Sequence, residues 1–353
     1  MDSMLKLFVS LLPVLFSYLL FGNISGVESS KKHPHHQQLQ GPTKLFVFGD
    51  SYVDTGNIKM HEAPSWEVPY GITFPRKPSG RFSDGRVSTD YLAKLLGLKS
   101  PIPYLWKDYA GHERLEYGMN FAYGGTGVFE TINSNLNMTY QISLFEKLIG
   151  NVYSPSDLSS SLALVSVAGN DYITYIAGNG TKPGFVAYMK QVINQTEVNL
   201  RRIHALGVKK IAIPLLHPLG CLPVVSKGSS FADCKKFVNL AVIIHNNLLQ
   251  TVVAKLNKET EHSTFMVIDY YNAFLTVLKN KGEIPGITRF ETPLKECCGG
   301  VCGVVDEKGV KNYTLCDDPT STFFWDGLHP TQEGWKSVYT VFGKNLTASL
   351  IKA

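Results

Sequence analysis

The chain has 353 residues, 44% of them hydrophobic and 18% charged, the balance of a soluble globular protein long enough for one large α/β domain or two smaller ones. Its formal charge is +5, with 34 Lys and Arg scattered among 29 Asp and Glu, a mild and unstriped surplus that argues against nucleic acid as a partner. Residues 1–26 place Lys6 before an apolar stretch at 7–21 and then small residues at 22–26. That layout predicts a secretory signal peptide cut near Ser25 or Gly26, with an uncleaved membrane anchor as the rival. No later segment is read as approaching the roughly 20 apolar residues that span a bilayer, so no stable membrane insertion is expected after cleavage. Residues 27–43, rich in His, Gln, Lys and Ser, read as a disordered leader, and the folded domain is expected over 44–351.

The first strand is expected at 44–48, KLFVF, an almost wholly apolar run of the kind a parallel strand buried on both faces shows. It stops at Gly49, Asp50 and Ser51, which delivers a hydroxyl to the carboxyl edge, where open α/β sheets bind ligands. Residues 59–84 are broken by Pro64, Pro69, Gly71, Pro75, Pro78 and Gly80 into a long loop, a length at which loops tend to be functional or disordered. A helix follows at 87–96, with Val87, Tyr91, Leu92 and Leu95 on one face. Residues 118–127, GMNFAYGGTG, read as a short strand centred on 120–122 that runs into Gly124 and Gly125, and glycines there let a backbone N–H approach a ligand. After a helix near 141–148 comes the clearest buried strand, 162–168, ending in Gly169, Asn170 and Asp171.

A long amphipathic helix is expected at 185–206, with Val192, Thr196, Leu200 and Ile203 at helical spacing and Gly207 as its stop. Strands at 210–216 and 264–269 flank a helix at 235–258 whose buried stripe is read as Phe237, Ala241, Ile244, Leu248, Val252 and Leu256. His245 within that helix reads as a surface or satisfied core residue. A short helix at 273–278, a Cys-rich loop at 296–316 and a closing helix at 331–350 complete the chain. Five strands alternating with helices predict one α/β domain whose parallel sheet is covered on both faces.

Two features agree with export. Asn137, Asn179, Asn194, Asn312 and Asn345 each head a glycosylation sequon. The six cysteines, Cys221, Cys234, Cys297, Cys298, Cys302 and Cys316, are an even set without paired Cys-x-x-Cys units, which favours disulfides over a metal site. Cys221 is expected to pair with Cys234, the other four being left unassigned.

A serine hydroxyl needs a base, an orienting group and donors for the oxyanion before it can attack a carbonyl. Asp326 and His329, three apart in the turn-rich segment FFWDGLHPT, would let one loop carry both the base and the carboxylate that fixes its tautomer. A Gly-Asp-Ser tripeptide alone is commonly just a turn. Together, however, Ser51, Gly124, Gly125 and Asn170 all follow expected strands on one sheet edge, with Asp326 and His329 in the last loop.

This combination resembles the GDSL esterase/lipase family, the secreted plant branch of the SGNH hydrolases, over nearly the whole mature chain. The resemblance implies a flavodoxin-like three-layer sandwich on a five-stranded parallel sheet. It makes Ser51 the nucleophile, His329 the base and Asp326 its orienting carboxylate. The oxyanion donors it implies are the backbone N–H of Ser51, that of Gly125 (with Gly124 as the alternative) and the side chain of Asn170. Tyr52 stands where the family name has leucine and Thr126 where alanine is common; neither is expected to touch a catalytic atom. The implied reaction is hydrolysis of lipid or small acyl esters, with no metal or organic cofactor. The rivals are an acetylesterase acting on cell-wall polysaccharide or phenolic esters, and a non-catalytic carbohydrate-binding protein on the same scaffold; Trp66, Tyr70, Phe74 and Trp106, in or near the long loops, are candidate linings for either ester site.

Overall fold

The computed structural model describes residues 41–131, 136–260 and 263–352; the signal peptide and most of the leader expected from the sequence lie outside them. Six strands form one parallel sheet in the order β2-β3-β1-β4-β5-β6. They are β1 Lys44–Gly49, β2 Ile102–Pro103, β3 Gly118–Asn120, β4 Ser161–Ser166, β5 Lys210–Pro214 and β6 Phe265–Ile268. The sheet therefore has six strands rather than the expected five. The extra one, β2, is a two-residue edge strand that contains a proline, too short for any alternation to be read and confined to an edge by its missing N–H.

The seven described helices of eight residues or more are α1 Ser88–Leu95, α2 Met138–Glu146, α3 Gly169–Ala177, α4 Lys182–Ala205, α5 Lys236–Thr260, α6 Tyr270–Leu278 and α7 Gln332–Lys352. Alternation along each strand sorts the core into two layers. Phe46, Phe48, Ala163 and Val165 meet the buried sides of α2, α4 and α5, while Leu45, Val47, Leu162 and Leu164 meet α1, α6 and α7 on the other face. This is the α/β three-layer sandwich the sequence implied. Chain connections leave β1 toward β3 and β2 but leave β4 toward β5 and β6, so the crevice at the carboxyl ends of β1 and β4 is the place where such sheets bind ligands.

Three elements depart from expectation. Helix α3 was not foreseen; it begins at the Gly169-Asn170-Asp171 turn itself. The buried side of α5 is Val242, His245, Asn246, Leu249, Val252, Val253 and Leu256, whereas Phe237 is 76% and Ile244 39% exposed, so the expected stripe is rotated at its N-terminal end. By length and composition α5 is also apolar enough to cross a membrane, contrary to the expectation that no segment after the N-terminal one is. Here it packs against α4 and β6, and its inward His245 and Asn246 are both hydrogen-bonded within the core. Third, the Cys-rich loop is an antiparallel hairpin, β7 Cys298–Val305 with β8 Lys311–Leu315.

The expected Cys221–Cys234 bridge is present, and the remaining cysteines form Cys297–Cys316 and Cys298–Cys302. Of the sequon asparagines, Asn179, Asn194, Asn312 and Asn345 are exposed. Asn137 is partly buried and caps α2 by accepting the N–H of Tyr140.

Candidate active site

Ser51 sits on a turn that β1 can make only because Gly49 has no side chain. A Cβ on Gly49, whose φ is +154°, would lie 2.2 Å from the carbonyl oxygen of Ser166 and 2.7 Å from Val53 Cγ2. The side-chain amide of Gln141 pairs with the Gly49 backbone as a neighbouring strand would. Its Oε1 accepts the Gly49 N–H and its Nε2 donates to the Gly49 carbonyl, both at 2.8 Å. The Asp50 carbonyl then accepts the N–H groups of Val53 and Asp54 and closes the turn, leaving Ser51 on its crest.

The loop after β8 brings Asp326 and His329 to that hydroxyl. Asp326 Oδ1 accepts the backbone N–H groups of Leu328 and His329, at 2.9 and 2.8 Å, so the aspartate builds the turn that returns the histidine toward it. His329 Nδ1 lies 2.8 and 2.9 Å from the two carboxylate oxygens, and Nε2 lies 2.8 Å from Ser51 Oγ. All three expected residues are thus brought together and buried. Burial alone would push Asp326 up, but the adjoining His329 and the N–H groups of Leu328 and His329 outweigh it and hold the carboxyl below its ordinary range.

Two tyrosines beside this relay make contacts that the sequence did not reveal. Tyr70 donates its hydroxyl to Asp326 Oδ2 at 2.8 Å, and burial followed by the nearby carboxylate keeps that phenol protonated, well above its usual pKa. Tyr52 braces the same loop without a hydrogen bond to a relay side chain. Its hydroxyl donates to the Leu328 carbonyl and meets His217 Nε2, while its ring lies 5.4 Å from that of His329. The loop at 59–84 clamps the same segment from outside. Ser83 Oγ donates to the Pro330 carbonyl, Asp84 accepts the Gln332 N–H, and the Phe82 ring lies 4.9 Å from His329. Of the four aromatics expected near the site, only Tyr70 reaches it. Trp66 donates to the Ile58 carbonyl, Phe74 lies beneath Arg86, and Trp106 is exposed beside Tyr109.

The opposite wall joins the ends of β3 and β4. Asn170 Nδ2 donates to the Thr126 carbonyl at 2.9 Å, which leaves its second N–H hydrogen for a ligand. Asp171 fixes the following turn by accepting the N–H groups of Val128 and Phe129. Ala168, at φ +101°, bends β4 sharply into α3, a conformation uncommon for any residue but glycine. The two glycines are not equivalent. The Gly124 N–H donates to Asp54 Oδ2 at 3.0 Å, so that donor is committed to a structural carboxylate. Thr126, the second departure from the family pattern, donates to the Gly49 carbonyl and so couples this wall to the turn that carries Ser51.

Around the relay the charged groups are buried and shifted. Burial raises Asp50 to about 7 and Asp54 and Asp171 to about 6. Burial, then the neighbouring His329, lowers His217 to about 3. A hydroxyl bonded to an imidazole that is itself bonded to a carboxylate can lose its proton as it attacks a carbonyl. Among the described residues, no group of three His, Cys, Asp or Glu side chains could hold a metal ion.

Residues 45–340 match the family of GDSL-like lipases and acylhydrolases. A GDSL esterase/lipase of Arabidopsis thaliana is 64% identical, the match covering all of both chains, and a second from the same plant is 58% identical over 97% of this chain and 98% of its own length. Acetylajmalan esterase of Rauvolfia serpentina is 28% identical, over 94% of this chain and 90% of its own. The chain belongs to the GDSL lipase/acylhydrolase family and is a carboxylic-ester hydrolase.

Proposed function

We propose that the protein is a secreted serine esterase in which Ser51, His329 and Asp326 act as nucleophile, base and orienting carboxylate. The unbroken relay from Asp326 through both nitrogens of His329 to Ser51 Oγ, every step at 2.8 to 2.9 Å, carries the reading. His329 Nε2 takes the hydroxyl proton as Ser51 Oγ attacks the ester carbonyl, and it then gives that proton to the departing alcohol. Water repeats the sequence on the acyl-enzyme and releases the acid. The oxyanion donors in this reading are the N–H of Ser51, the N–H of Gly125 and Asn170 Nδ2. Gly125 is preferred because the Gly124 N–H already serves Asp54.

The substrate is a lipid or small-molecule carboxylic ester, and no metal or organic cofactor enters these steps. An acetyl ester is the second reading, favoured by the name of the acetylajmalan esterase relative. Secretion is supported by the layout of residues 1–26 and by three disulfides. Glycans are proposed at Asn137, Asn179, Asn194, Asn312 and Asn345.

The test is labelling of the purified protein with a fluorophosphonate probe, beside Ser51→Ala and His329→Ala. Labelling and ester turnover should vanish in Ser51→Ala and fall by several orders of magnitude in His329→Ala. Labelling that persists in folded Ser51→Ala would move the nucleophile elsewhere, and an unlabelled, inactive wild type would leave a binding protein on this scaffold.

A further inference from the structure

Beside the cleft that holds Ser51 and His329 lies a second cavity of about 180 Å³, enclosed by α3, the start of α4, the first turns of α5 and the segment 219–225. The two cavities share Gly169, Ile173, Leu219, Leu222 and Leu328, so they adjoin along those residues. No charged side chain lines the second one. Its one polar group, the Tyr172 hydroxyl, is engaged by His245 Nδ1 at 2.6 Å. Toward solvent it is bordered by Ile176 and Val224, which are 65% and 59% exposed.

We propose that this chamber receives the acyl chain of the ester and makes the enzyme selective for medium-chain acyl groups; the inference rests on Ser51 being the nucleophile. An apolar cavity of about 150 Å³ takes a benzene ring, so this one has room for roughly six to eight carbons. The acyl half of the substrate is assigned to it rather than the alcohol half because of the second reaction stage. The deacylating water must arrive where the alcohol left and must reach His329. An apolar chamber offers water no hydrogen bonds and is a poor route for it. The chain that stays attached through deacylation therefore fills the chamber, while alcohol and water use the polar side of the cleft.

The experiment compares kcat/KM across p-nitrophenyl esters from acetate to dodecanoate and across alkyl acetates from methyl to octyl, with fluorophosphonate labelling in parallel. Each buried methylene is worth about a fourfold gain, so the acyl series should climb steeply from acetate to about octanoate and then level off as longer chains emerge over Ile176 and Val224. The alkyl acetate series should stay nearly flat. Ala241→Phe inserts a ring into the chamber, and Ile176→Asp sets a charge on its outer wall at an exposed position that the core does not need. Both should lower the octanoate-to-acetate ratio, Ala241→Phe by tenfold or more. If Ala241→Phe does not fold, Ile176→Asp and the wild-type profile decide. A flat acyl series, a gain in the alcohol series instead, or an unchanged ratio in folded variants would overturn the chamber assignment while labelling of Ser51 stands. Loss of labelling together with all turnover would overturn the Ser51 reading, and the chamber with it.

Discussion

Ser51, Asp326 and His329 were readable because each is announced locally: a strand that stops on a hydroxyl, and an aspartate and histidine three apart in a turn. Tyr70 carried no such signal, since 256 residues separate it from the carboxylate it serves and nothing in a Pro-rich loop says which side chain turns inward. Its hydrogen bond satisfies the oxygen of Asp326 that accepts no backbone N–H, so Tyr70 is a positioning residue. Tyr70→Phe should lower stability by about 1.5 to 3 kcal/mol, the usual range for a hydrogen bond to a charged group. It should also reduce kcat with little change in KM, a split that stopped-flow and steady-state kinetics would resolve; a loss confined to KM would refute the role. Asn170→Ala tests the opposite wall. In other serine hydrolases a missing oxyanion donor costs about 10² to 10³ in turnover, and the same loss is expected here, whereas a turnover within threefold of wild type would remove Asn170 from the oxyanion site.

Elements with strong periodicity were legible and those made by cross-linking were not. Helix α4 buries Val192, Thr196, Leu200 and Ile203, as its spacing predicted. In the hairpin, β7 is written in glycine, cysteine and valine, CGGVCGVV, and β8, KNYTL, buries only Tyr313, so no two-residue burial period reveals it. Its importance lies in what it holds. The N–H groups of Cys297 and Cys298 donate to the carbonyls of Phe324 and Trp325, the two residues before Asp326, and the Cys297–Cys316 bridge closes the hairpin across a separation of 19 residues. A loop of that order is worth about 3 kcal/mol by chain entropy. The paired change Cys297→Ser and Cys316→Ser should therefore lower the unfolding free energy by about that amount. It should also depress kcat at a temperature where the variant is still folded by circular dichroism. Full activity in the folded variant would show that the hairpin does not position the Asp326 loop.

Across the whole molecule, the carboxyl edge of the sheet concentrates buried groups that titrate in opposite senses. Asp50, Asp54 and Asp171 keep protons in the folded state, up to about pH 7, 6 and 6 respectively, that the unfolded chain sheds near 3.8, so each lowers stability as pH rises through that interval. His217 and His245 do the reverse. Burial brings both down to about 3, so between there and the unfolded value of 6.5 the unfolded chain binds protons that the fold refuses, and stability rises with pH. These contributions oppose one another between pH 4 and 6, so the wild-type profile alone cannot apportion them. A difference measurement can. His245→Gln removes one refusing imidazole while offering Tyr172 an amide partner, and it lies on the inward side of α5, away from Ser51. One proton corresponds to about 1.4 kcal/mol per pH unit. From pH 6 to pH 4 the wild type should therefore lose up to about 2.7 kcal/mol relative to the variant, whatever the two differ by at pH 7. Urea denaturation at half-unit intervals would show the wild-type-minus-variant difference falling steadily as pH falls. Parallel profiles would mean that His245 takes up its proton inside the fold, and that the core around Tyr172 is polar enough to hold a charge.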